Sequence, residues 1–216
     1  MARLLTASIV LVLLALPVRA ARAQSPSPSG GKLLEPPRAR QGYYVALGYH
    51  LNVNHNWEDN ESWGTWLGTD LTIRLGQMIT RRFGMGLQIH SGTTRGEGQQ
   101  AALGGLALEG QWELVPNFAV RGGAGVDILS LTKQQGPNAS TRGTVSTGYF
   151  LGFEYSWFFT HRLTGGWAAT PTVQIRLLPG DTASALMGTV GVQLAWWSGL
   201  PKNQLELPPG EGFKDD

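Results

Sequence analysis

The sequence contains no cysteine. That excludes a disulfide framework, a thiol nucleophile and a thiolate-held metal. It also lacks an apolar run long enough to cross a bilayer as a helix. The longest, Leu4 to Leu16, falls short of the roughly twenty residues such a helix needs. Charge of one sign is missing as well. The 17 Lys+Arg and 15 Asp+Glu nearly balance, and three of the arginines (Arg3, Arg19, Arg22) lie near the N-terminus. Without them the chain carries 14 basic and 15 acidic residues, a net charge of −1. Its basic character therefore gives no footing for nucleic-acid binding. No cluster of ligating residues points to a metal. Gly122-Gly123-Ala124-Gly125 is no phosphate loop, because no helix follows it. No cofactor and no nucleic-acid partner are expected.

The chain is rich instead in glycine and tryptophan, with 30 Gly and 8 Trp. The glycines have no three-residue period, which excludes collagen, and the aromatics argue against disorder. The N-terminus reads as a secretory signal peptide over 1–23. Arg3 supplies the positive end, Leu4 to Leu16 the apolar stretch, and Ala21 and Ala23 the small residues before a cut at Gln24. Residues 24–41 are rich in Pro, Ser and Gly and read as a flexible or extended linker. Residues 198–216, with Pro208-Pro209-Gly210 and a charged end, read as a disordered tail.

Between them, alternation with period two predicts β-strands whose two faces meet different surroundings. Tyr43, Val45, Leu47, Tyr49, Leu51 and Val53 oppose Tyr44, Ala46, Gly48, His50 and Asn52. Leu67, Leu71, Ile73 and Leu75 oppose Asp70, Thr72 and Arg74, and Phe83, Met85, Leu87 and Ile89 oppose Gly84, Gly86, Gln88 and His90. The fourth segment is the weakest: Leu106, Leu108 and Trp112 oppose Ala107, Glu109 and Gln111, while Leu103 breaks the rule. Further segments follow around Phe118–Ile128, Val145–Trp157, Leu163–Leu177 and Leu186–Trp196. That makes eight, most of about ten residues or more, against a mode of about five or six in soluble proteins. Tight turns at 80–82, 115–117 and 160–162 alternate with longer loops at 54–65, 93–100 and 132–142, and a shorter one at 179–183. Short turns on one rim and long loops on the other is the asymmetry of an outer-membrane barrel.

A soluble lipocalin-type barrel would show the same alternation with its apolar face inward. Here the polar face is mostly Gly, Ala, Ser and Thr with isolated charges, unlike a surface built for water. Small residues and occasional charges suit the filled interior of an eight-stranded barrel. Tyr43, Phe83, Trp112, Phe118, Trp157 and Trp196 sit near the tight-turn ends on the apolar faces, where interfacial aromatics collect. The expected fold is all-β, an eight-stranded antiparallel up-and-down transmembrane β-barrel over 42–197.

Over Tyr43 to Trp197 the chain resembles the small OmpA/OmpX-type outer-membrane β-barrels. The resemblance rests on the export signal, the alternation, the loop asymmetry and the final strand Val190-Gly191-Val192-Gln193-Leu194-Ala195-Trp196. That strand is similar to the aromatic-ended signal read by the barrel-assembly machinery, although residues 198–216 follow it here. The resemblance implies a bacterial outer-membrane location, periplasmic termini, and outer-membrane lipids and the assembly machinery as partners. It carries over no catalytic residue.

The expected lumenal set is Asp70, Arg74, Glu109, Arg121, Asp127, Glu154 and Arg176 with His50 and His90. Charges confined there must pair, and Arg121 and Arg176 flanking Glu154, with Arg74 further round, form the expected network. It fills the barrel in a structural or surface-interaction protein, or sets selectivity in a narrow channel for ions or small solutes. A lipid acyl-processing enzyme is the third reading, with His50, His90, Ser91, Ser146 and Asp70 as its candidates. His90 and Ser91 are strand neighbours on opposite faces, so they form no dyad, and the expectation is that the chain is not an enzyme. Loop 54–65, with its acids, amides and two tryptophans, is a possible extracellular ligand site.

Overall fold

The computed structural model describes residues 40, 42–58, 61–80, 82–96, 99–135, 138–159, 165–180 and 183–199. The expected signal peptide, nearly all of the linker, the turn at 160–162 and the tail beyond Gly199 fall outside them. The described strands are β1 Tyr43–Glu58, β2 Glu61–Met78, β3 Phe83–Gly96, β4 Gln99–Val115, β5 Phe118–Gln135, β6 Asn138–Tyr155, β7 Trp157–Phe158, β8 Gly166–Leu178 and β9 Ala183–Trp197. Each pairs antiparallel with its neighbour, and the β1–β9 pairing closes the sheet into a barrel. β6 and β7 together form one stave, because both pair with β8 in a single register. The fold is thus an eight-staved antiparallel barrel, as the alternation predicts.

The break within that stave has a chemical cause. The shared register sets Pro171 opposite Tyr155. Proline has no N–H to give the ladder on the β8 side, while on the other side Ser156 N–H continues the register with β5 by donating to the Asn117 carbonyl at 2.8 Å.

The strands outrun the expected loops. Pairing of β1 with β2 continues to Glu58 and Glu61 across a shift at Asn56/Trp57. β3–β4 pairing continues to Gly96 and Gln99, and β5–β6 pairing to Gln135 and Asn138. Most of 54–65, 93–100 and 132–142 is therefore strand rather than loop. Apolar alternation fades there while the backbone ladder does not need it.

The exposed face is apolar. Leu47, Leu51, Leu71, Leu75, Leu87, Leu108, Val126, Leu151 and Leu194 all point outward and are exposed. Leu108, at 64%, could not stay so uncovered in water, because soluble monomers rarely show contiguous apolar patches above a few hundred Å². A continuous belt of this kind, with polar groups turned inside, is the inversion a bilayer demands of a closed barrel. Tyr43, Trp112, Trp157 and Trp196 are exposed near the rim that carries the chain termini. Phe83 and Phe118 are half-buried at the same rim. Phe83 packs on Trp112 at 5.9 Å between ring centroids, and Phe118 stacks on Phe153 at 6.3 Å.

Candidate functional site in the barrel lumen

Eight staves enclose a lumen just wide enough for side chains, and here large residues alternate with glycines across it. A Cβ at Gly105 or Gly148 would collide with the Asp127 carboxylate, and one at Gly76 or Gly86 with the Tyr44 phenol. These glycines are the notches in which the larger groups lie. His50, Asp70, Arg74, His90, Glu109, Arg121, Asp127, Glu154 and Arg176 all point inward and are buried.

They form two linked clusters. Nearer the termini, Arg74 is the hub. Its Nε donates to Glu109 Oε1 and Oε2 at 2.8 and 3.0 Å, and its Nη1 donates to Glu154 Oε2 at 2.7 Å and to Gln193 at 2.9 Å. Its Nη2 donates to Gln111 at 3.0 Å. Tyr44 donates its hydroxyl to Glu109 at 2.6 Å, and its ring lies 5.4 Å from the Arg74 guanidinium carbon. Arg121 approaches Glu109 at 3.4 Å and Glu154 at 3.6 Å.

The second cluster lies toward the loop end. Arg176 Nη1 donates to both oxygens of Asp127, at 3.0 and 2.9 Å. His90 bridges two acids, with Nε2 2.8 Å from Asp127 and Nδ1 3.5 Å from Asp70. His50 stands 3.6 Å from the other oxygen of Asp70, to which Thr72 donates at 3.0 Å. Phe150 joins the clusters, with Arg121 and Arg176 lying 5.9 and 5.1 Å from its ring centre.

Several details differ from expectation. Arg176 does not flank Glu154; it pairs with Asp127, because β8 and β5 carry these two to the same level of the lumen. The lumen is not polar throughout. Trp66, Ala101, Leu103, Leu129, Leu131, Leu178, Ala183, Ala185 and Met187 form a buried apolar cluster at its loop end. Leu103, the exception in the fourth segment, is one of them, and Leu129 and Leu131 are inward apolar residues that alternation alone would not place. Asn54 and Asn56, assigned to an external ligand loop, point inward and are buried, so they are withdrawn from any such site. Among the described side chains of that hairpin is His55, whose nitrogens bond Thr65 at 3.0 Å and Ser62 at 3.2 Å and whose ring meets Trp57 edge-on at 4.7 Å; the side chains of Glu58, Asp59, Glu61 and Trp63 lie outside the described set.

Arg40, within the expected linker, is 1% exposed. It reaches over the terminal mouth from the chain just before β1 and donates to Glu154 at 2.8 Å, to Ser156 Oγ at 2.6 Å and to the Asn117 carbonyl at 3.2 Å. Its neighbours in sequence carry no periodic signal that marks it out. Among the candidates for catalysis, Ser91 faces outward and is exposed, opposite in direction to the buried His90. Ser146 pairs across the ladder with Asp127, and it has no hydrogen-bond partner. Among the described residues, no group of three or more His, Asp or Glu is arranged to hold a metal.

An apolar belt outside and a paired ionic network inside define a membrane-spanning β-barrel of the outer-membrane type. No protein-family model matches the sequence, and no curated protein is similar to it. Solved structures are similar in fold. Ail, the attachment invasion locus protein of Yersinia pestis, superposes with a TM-score of 0.53 at 13% identity, over 72% of this chain and 99% of Ail. Neisserial surface protein A gives 0.47 at 12% identity, over 72% of this chain and 97% of that one. At such identities the likeness is one of fold: this chain has the fold of the small OmpA/OmpX-type outer-membrane β-barrels.

Proposed function

We propose that this chain is an exported protein of the bacterial outer membrane with a structural or surface-interaction role. On this reading the leader over 1–23 is cleaved, the assembly machinery reads Val190 to Trp196, the barrel termini face the periplasm and the extended hairpins project outward. The barrel neither conducts nor catalyses.

The observation that carries this reading is the filling of the lumen along its described length. Arg40, Tyr44 and Trp197 occupy the terminal mouth, the two ionic clusters the middle, and Trp66 with Leu103, Leu129 and Leu131 the loop end. A conduit through this interior requires Arg74 to leave four partners at once, and buried charges separate only at high cost. For an acyl-processing site, His50 and His90 lie too deep for a lipid chain to reach.

Single-channel recording tests the reading. The mature protein, refolded and inserted into a planar bilayer, is expected to be silent, with the gel shift between unboiled and boiled samples confirming that it is folded. Reproducible openings from folded protein overturn the closed-barrel role and turn Arg74, Arg121 and Glu154 into selectivity candidates.

A further inference from the structure

Among the described residues, Arg40 is the one buried guanidinium contributed from outside the strands. At this mouth the buried carboxylates Glu109, Glu113 and Glu154 stand beside Arg40, Arg74 and Arg121.

The groups that receive it are each held by something else. Glu154 uses Oε2 for Arg74 and Arg121 and leaves Oε1 for Arg40. The Asn117 carbonyl is fixed by the Ser156 N–H at 2.8 Å, and the Asn117 N–H by Glu113 at 2.9 Å. Asn117 itself sits at φ 69°, a left-handed conformation that asparagine tolerates and that aims the turn. Ser156 Oγ is braced by Thr170 at 3.0 Å, where the ladder is interrupted opposite Pro171. Trp197 supplies an aromatic face, 5.6 Å from the Arg40 guanidinium carbon. A carboxylate oxygen reached by one terminal nitrogen, a hydroxyl and a carbonyl reached by the other, and a ring face beside them match a guanidinium fork better than a compact ammonium.

We propose that the terminal mouth is a guanidinium-binding socket and that Arg40 is its occupant in cis. Seated, Arg40 closes the terminal mouth. Where the arginine side chain is removed, a free alkylguanidinium takes the same place. The socket does not depend on whether the lumen conducts, so conductance leaves it untouched.

Two measurements test it. Trypsin acting on the folded wild-type barrel is expected to leave a product beginning at Ala39, cut after Arg38, because Arg40 is seated; a product beginning at Gln41 from folded protein overturns the proposal. In Arg40→Ala the urea unfolding midpoint is expected to fall. Millimolar ethylguanidinium restores most of that loss, ethylammonium at the same concentration does not, and the wild type responds to neither. Equal responses to the two cations, or a midpoint unchanged by the substitution, overturn it. Should Arg40→Ala refold poorly, its refolding yield in ethylguanidinium against ethylammonium gives the same comparison.

Discussion

At the terminal end of the lumen, Arg40, Arg74 and Arg121 converge on Glu109 and Glu154, whereas at the loop end Trp66, Leu103, Leu129 and Leu131 form an apolar cluster. Both ends are buried to a similar degree, but they are closed by different physics. The ionic end is directional: each guanidinium offers a fixed fork, and each carboxylate must be matched or left desolvated and unpaired. The apolar end is filled by shape, and it relaxes partly when a side chain shrinks. One end therefore specifies which side chains meet, while the other specifies how much volume they fill.

The largest expected effect comes from breaking the ionic end. Arg74→Met strands Glu109 and Glu154 beside the remaining arginines, and should cost about 3–5 kcal/mol, the penalty of removing one partner from a buried ion pair. Urea unfolding in lipid vesicles, followed by tryptophan fluorescence, measures it. The apolar end should give less: Leu129→Ala is expected to cost about 3 kcal/mol, by lost transfer energy and an unfilled cavity. If the two substitutions cost the same, the contrast between directional and shape-filling closure fails.

A third substitution turns from the lumen to the lipid. Leu108→Lys places a charge in the middle of the exposed belt, where about 2–3 kcal/mol is expected from the membrane and almost nothing from water. A barrel that stood in solution would hardly notice it. Smallest of all is Thr141→Lys, on the outer extension of β6, with a change below about 0.5 kcal/mol. The pair brackets the edge of the bilayer along the strand.

Much of the barrel was legible because its two faces meet opposite solvents. A residue such as Leu71 or Val126 is apolar because lipid lies beside it, and Asp70 or Asp127 next to it is polar because the interior can pair it; strict alternation follows. Where the two solvents become alike, the signal fades. Beyond the belt, Thr93, Ser140 and Thr141 face water and carry no apolar rhythm, so continuing strands read as loops although the backbone ladder runs on unchanged. Inside the loop end, Leu103 and Leu129 are apolar on the inward face because they touch one another, which erases the contrast that alternation depends on.

The sequence by itself determined the strand number and the outward face, since each is written in local period and composition. Only the tertiary structure decided which charges pair. Asp127 meets Arg176 and His90, and Glu154 meets Arg74 and Arg40, because barrel closure and stagger bring to one level residues as far as 114 positions apart. The role of Arg40 belongs to that second kind of information. Nothing around it in the chain repeats, and its partners exist as a set only once β5, β6 and β9 have come together around the mouth.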